Sequence, residues 1–300
     1  MTSYAHDVER DFDTLIELMA QMIQAQAGLS IQPGDEWIND AQVLATKLFK
    51  QLCSSRMLLS TTEFLTHDGQ HLAFVDHSSV TILTRSCIES YIVLHWIFQN
   101  EDQSLRKFRH GVWKLAGLMD RLDLHPTSEE ARVKIADTRM QAGQLLSEVE
   151  ASPHLQQYTP KQAKKLLKGD WRVDWSWTDE AVRAGFSKKY FENVYGHFCG
   201  YAHSSYISSM QICQAQEISQ QYALGKASLQ AGVNVMARFI KFYSELFPTA
   251  KSAFDSAPEA VRSVARYWSF GADEMDHLYE QEKGADPVGK GASGVASAAD

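Results

Sequence analysis

Arg85 and Glu89 stand four residues apart in DHSSVTILTRSCIESYIVLHWIF, residues 76–98. At helical spacing they share one face. There a guanidinium can grip an anion, and a carboxylate can orient that guanidinium or accept a proton. A second constellation lies in SKKYFENVYGHFCGYAHSSYISS, residues 187–209. Glu192, Gly196 and Cys199 share a helical stripe with His203, and Tyr195, His197 and Tyr201 add hydrogen-bonding groups. A histidine in such a place can move a proton near neutral pH. The candidate catalytic set is therefore Arg85, Glu89, Tyr195, His197 and His203. Unpaired, these groups are costly to bury, so Arg85, Glu89 and His203 are expected to meet where two helices pack. The same residues would also serve as an ion-paired network that fixes helix register. Their types and spacing leave both readings open.

The elements that must carry these residues are helices. Helical periodicity runs over 5–27, 36–57, 77–99, 103–123, 128–150, 187–203, 206–246 and 256–280, with a break expected near Gly225 and a short helix over 161–168. All seven prolines fall between these segments, where proline punctuates. No run alternates apolar and polar residues long enough to demand a strand. The expected fold is all-α, a single helical-bundle domain of about eight helices over residues 1–282. Within it, 151–186 is an irregular excursion carrying Pro153, Pro160, Gly169 and three tryptophans. Residues 283–300, KGADPVGKGASGVASAAD, are too small and polar to offset ordering, so a disordered tail is expected.

Composition narrows the partners. With 44 % apolar and 22 % charged residues, a net charge of -8 and a pI near 5.8, the chain has no global basic field to attract nucleic acid or anionic membrane. The acidic opening MTSYAHDVERD lacks the marks of a secretory leader. The four cysteines form no C-x-x-C pair, so a cytoplasmic protein with reduced thiols is expected. The longest apolar stretch, 91–98, is far short of the roughly 20 residues that span a bilayer. Two local basic clusters interrupt the acidic background. One is Arg106, Lys107, Arg109, His110 and Lys114. The other is Lys161, Lys164, Lys165, Lys168 and Arg172, interleaved with Trp171 and Trp175. Such a cluster binds phosphates and stacks bases, or is a solvated face over packed tryptophans. His67, Asp68, His71 and His77 complete no ligand set, and Glu274-x-x-His277 is half of a di-iron motif without its second half. No P-loop, dinucleotide fingerprint or G-x-S-x-G elbow occurs, so no metal or cofactor is expected.

Arg85-Ser86-x-x-Glu89-Ser90, followed by Tyr195-x-x-x-Cys199-x-x-x-His203-Ser204, resembles a bacterial helical family known mainly as a domain of unknown function. The likeness runs over about residues 40–245, with Cys199 where that family usually has serine. The architecture also looks like a distant relative of the HEPN domains, helical bundles that often act as metal-independent ribonucleases in toxin and phage-defence systems. Their signature is R-x4-6-H. Here His197-x5-His203 has the spacing with histidine in place of arginine, and the resemblance implies that Arg85 supplies the cation. It further implies RNA as substrate, an antitoxin or other partner protein, and a homodimer. Three functions follow: a HEPN-like endoribonuclease or toxin, a non-catalytic interaction protein locked by the same polar residues, or an enzyme of a small anionic metabolite.

Overall fold

The computed structural model describes residues 6–271 and Glu274. The chain begins with α1 (Val8–Gln26) and α2 (Asn39–Leu58), then a hairpin of β1 (Thr62–Leu65) and β2 (His71–Phe74). The long helix α3 (His77–Phe98) follows, then α4 (Gln103–Leu122) and α5 (Glu129–Glu150). The excursion holds two short helices, α6 (Pro160–Leu166) and α7 (Trp177–Arg183). The chain continues through α8 (Lys188–Ala202), α9 (Tyr206–Gln214), α10 (Ile218–Leu246), α11 (Pro248–Ser256) and α12 (Glu259–Trp268). The fold is all-helical apart from the hairpin.

Side-chain caps set most helix starts. Asp7, Asp76, Asp102, Ser128, Thr159, Ser176 and Ser187 each accept a backbone N–H of the first turn, satisfying donors that the helix leaves orphaned. The core is built around α3, which packs along α2 on one side and α10 on the other, with α1 closing against α10. Leu48 and Leu52 of α2, Ile88 and Ile92 of α3, and Val233, Met236 and Phe239 of α10 are buried there.

The described residues hold twelve α-helices rather than about eight. The periodic stretch 206–246 breaks at 215–217, not at Gly225. Gly225 lies inside α10 because a Cβ there would come within 2.7 Å of Leu59 Cδ1 and 3.7 Å of His77 Cα. α11 falls in the gap left between the expected helices 206–246 and 256–280, and the second of these begins at Glu259, after Ala257–Pro258. The hairpin is an element that alternation could not reveal. Phe64, Leu65, Leu72 and Phe74 are all exposed, so neither face is marked by burial. The turn between the strands carries Asp68-Gly69, with Gly69 at φ +83°. The predicted tail 283–300 and His277 lie outside the described residues.

Gly185, just after α7, has φ +90°, and a Cβ there would sit 2.6 Å from Arg238 Nη1. Gly185→Ala is therefore expected to lower stability by about 1–3 kcal/mol through backbone strain alone, read as a shift of the urea midpoint. An unchanged midpoint would mean that this turn relaxes freely.

Candidate functional site

Glu89 is the hub of the polar pair on α3. Its Oε1 meets Arg85 Nη2 at 2.8 Å and accepts the Tyr195 hydroxyl of α8 at 2.6 Å. Arg85 Nη2 also lies 3.4 Å from the Tyr195 oxygen, and its guanidinium sits 5.3 Å from the centre of that ring. The pair lies on the half-exposed stripe of an otherwise buried helix, with Arg85 and Glu89 side chains 21 % and 25 % exposed. Burial works against the Arg85 charge, but the Tyr195 hydroxyl and the Glu89 carboxylate outweigh it and hold Arg85 above its ordinary range. Burial, then the neighbouring Glu89 carboxylate, pushes the Tyr195 phenol up. At neutral pH Arg85 is a guanidinium and Tyr195 a neutral phenol.

The network is only half used. Both bonds to Glu89 go to Oε1, and no donor among the described residues reaches Oε2. Arg85 Nε is buried with no acceptor. Beside Glu89 a cavity of about 210 Å³ opens between α2, α3 and α7, lined by Lys47, Ser86, Ser90, Trp113 and Trp177. Gln51 of α2 holds two of the lining side chains, donating to Ser86 Oγ at 2.8 Å and accepting from Ser90 Oγ at 3.2 Å. Gln51 and Trp177 escaped the sequence reading. Gln51 carries one faint mark, its position one turn after Lys47 on α2.

Two of the expected residues do not join the cluster. α8 ends at Ala202, and His203 is its exposed C-terminal cap. Eight residues at 1.5 Å put it about 12 Å along the axis from Tyr195, and it makes no bond to Arg85 or Glu89 among the described residues. The expected meeting of Arg85, Glu89 and His203 is corrected to Arg85, Glu89 and Tyr195. His197 is two positions from Tyr195, about 200° around the helix. It lines a different cavity, of about 340 Å³, with Tyr201 and Ser228, where burial lowers its pKa. A Cβ at Gly196 would meet nothing within 4 Å, whereas one at Gly200 would come within 3 Å of Ser205 Oγ and Ile207 Cγ2.

Lys161, Lys164, Lys165, Lys168 and Arg172 are all exposed on and after α6. The tryptophans between them pack inward as a ladder. Trp96 of α3 lies 5.1 Å from Trp171, which lies 5.1 Å from Trp175. Trp175 lies 4.6 Å from Trp177, and Trp177 lies 5.9 Å from Tyr195. Trp171, Trp175 and Trp177 are half-buried, and the Arg172 guanidinium sits 5.6 Å from the Trp171 ring. A continuous aromatic path thus joins the basic segment to the Arg85–Glu89–Tyr195 cluster.

The first basic cluster is largely spent inside the fold. Lys107 pairs with Asp35 at 3.2 Å, His110 with Asp40 at 2.7 Å, and Arg109 donates to the Trp96 carbonyl at 2.8 Å. Ser104 Oγ lies 2.8 Å from His154 Nε2, the distance of a nucleophile and its base. The roles are wrong for that chemistry. Gln157 Nε2 donates to His154 Nδ1, so Nε2 carries the proton, and the Ser104 hydroxyl is spent on Asp102 at 2.7 Å. Among the described residues, no three His, Cys, Asp or Glu side chains are grouped to hold a metal ion, and no helix is long and apolar enough to cross a membrane.

No curated protein and no solved structure matches the chain. A family model does match, over residues 52–220. That stretch contains α3, the excursion and α8, and so Arg85, Glu89, Tyr195 and the exposed lysines, while Gln51 and nearly all of α10 fall outside it. With more than half of its length covered, the chain belongs to DUF5677, a family of unknown function.

Proposed function

We propose that the protein binds single-stranded RNA and cleaves it without a metal ion in the cleft of Arg85, Glu89 and Tyr195. The observation that carries the reading is the half-used network. A Glu89 carboxylate oxygen stands unpaired where that side chain lines a cavity, and the guanidinium paired with its other oxygen keeps an Nε without an acceptor, as a site for a phosphodiester requires and a purely structural lock does not. The exposed lysines on and after α6 support it, since a row of cations is what the backbone of a single strand binds.

In the reaction Glu89 Oε2 takes the proton of a ribose 2′-hydroxyl. The 2′-oxygen bonds to the adjacent phosphorus, and the bond from phosphorus to the 5′-oxygen breaks. Arg85 stabilises the charge on the non-bridging oxygens, and water protonates the leaving 5′-oxygen. The products carry a 2′,3′-cyclic phosphate and a 5′-hydroxyl. Proton transfer therefore passes from His203, its expected owner, to Glu89. A toxin or defence role in the cytoplasm, with an antitoxin partner, extends this reading and rests on the sequence resemblance alone.

The test is purified protein with mixed-sequence single-stranded RNA, with and without EDTA. Cyclic-phosphate products in both conditions are expected; loss of cleavage on chelation would move the chemistry to a metal. Binding has its own check. Lys164→Ala with Lys168→Ala should weaken affinity and flatten the slope of log affinity against log salt by about 1.4, at ~0.7 for each single-strand phosphate that a lysine neutralises. An unchanged slope would remove the basic segment from the binding path.

A specific observation also favours a structural role. Glu89 Oε1 is ion-paired with Arg85 and accepts from the Tyr195 hydroxyl, which ties α3 to α8. Stability measurements on Glu89 separate the two readings.

A further inference from the structure

Arg238 of α10 is 8 % exposed and makes no ion pair among the described residues, the Glu274 carboxylate favouring its charge only from beyond ion-pair distance. Its Nε donates to Asn234 Oδ1 at 3.1 Å, its Nη1 to the Ala184 carbonyl at 3.3 Å, and its Nη2 to the Phe270 carbonyl. Those two carbonyls follow the ends of α7 and α12, where helix dipoles leave partial negative charge. They hold the guanidinium in place without neutralising it. Each terminal nitrogen carries two N–H groups, and one on each remains without an acceptor.

The guanidinium lines a cavity of about 230 Å³ between α3, α7 and α10. Arg183 and Lys241 line it too, with Gln99 and His95 of α3 and a single carboxylate, Glu245. Arg238, Lys241 and Glu245 stand at positions i, i+3 and i+7, one face of α10. Arg183 is held by the buried Glu180 behind it. Burial, then Arg109 and Arg238, pushes His95 down to about 4, in keeping with a positive field in this cleft. Burial also lowers Arg238. A buried cation whose direct acceptors are all neutral, and which opens on a cavity shared with two more cations and one carboxylate, calls for an anion.

We propose that this cleft binds a small phosphate-bearing molecule, its oxygens held by the free N–H groups of Arg238 and by Lys241 and Arg183. The cavity is smaller than the roughly 300–1,000 Å³ that drug-sized ligands occupy, so the ligand is inorganic phosphate or a small phosphomonoester. The site is separate from the Arg85 cleft and does not depend on the RNA reading.

The test is thermal unfolding of the full chain against increasing inorganic phosphate, glycerol phosphate or sulfate, with chloride matched in ionic strength. A saturable rise in Tm is expected, about 4 °C or more at a hundredfold excess over Kd, lost in Lys241→Ala and in Arg183→Ala. Both side chains are exposed, so both variants should fold. A Kd for glycerol phosphate tenfold below that for inorganic phosphate would assign a phosphomonoester, and the reverse order would assign the free ion. No saturable rise up to 20 mM would overturn the proposal. So would an equal rise in Lys241→Ala, or a rise lost in Arg85→Ala instead, which would put the anion in the other cleft.

Discussion

On the proposed reading, Glu89→Gln should fold normally and lose about 10²–10⁴-fold of the RNA cleavage, the contribution of one positioned proton-transfer group. Glutamine keeps an oxygen that accepts from the Tyr195 hydroxyl, so α3 and α8 stay tied. What it loses is the charge and the ability of the second oxygen to take a proton. The ion pair is part-exposed, with partners 21 % and 25 % accessible, so its loss should cost only about 1 kcal/mol of stability. Arg85→Lys should also lose most activity, because lysine keeps the charge without the planar fork. His203→Ala, by contrast, should cleave like the native protein, since that side chain caps α8 well away from the cluster. The measurements are initial cleavage rates and urea unfolding on the same preparations. Native-like cleavage by Glu89→Gln would sink the catalytic reading. A stability loss above about 3 kcal/mol, the range of a broken buried pair, would turn the cluster into a helix lock.

Acidification should destabilise the protein through His95. Its pKa falls from 6.5 to about 4 on folding, from burial first and then from Arg109 and Arg238. Between those values the unfolded chain binds a proton that the folded chain refuses. Stability from this group is therefore complete above pH 6.5 and drains away as pH falls toward 4. The shift corresponds to about 3–4 kcal/mol at full extent. Urea unfolding at pH 7 and pH 5, in buffers free of phosphate and sulfate, should show a steeper loss for the native protein than for His95→Gln, which has no proton to gain. Carboxylates such as Asp40, held low by His110, contribute equally to both and cancel. Parallel losses would mean that His95 takes up its proton without unfolding the core.

The sequence marked α3 almost to the residue, 77–99 against His77–Phe98, because its second half is apolar on nearly every side. Arg85 and Glu89 were readable for the same reason: the fixed pitch of a helix puts such a pair on one face wherever the helix packs. His203 was misplaced because a helical wheel extends past the end of a helix. The wheel carried the stripe from Glu192 onward, but α8 stops at Ala202. Tyr195, by comparison, faces α3 from the middle of α8. The hairpin stayed hidden because a ribbon exposed on both faces has no burial to impose a period of two. The Arg238 cleft was out of reach altogether. It joins residues 95, 183, 238 and 270, and no local pattern connects positions so distant along the chain.

The tryptophan ladder also governs what optical probes of this protein can report. Four of its seven tryptophans, Trp96, Trp171, Trp175 and Trp177, stand within 4.6–6.2 Å of a ring neighbour in one corner. At such separations excitation passes between indoles, so emission and near-ultraviolet dichroism are weighted toward the docking of residues 171–177 on α3. Far-ultraviolet dichroism instead counts peptide units, most of them in the central helices. Coincidence of the two signals on heating is thus a direct measure of whether the excursion and the bundle melt as one cooperative unit.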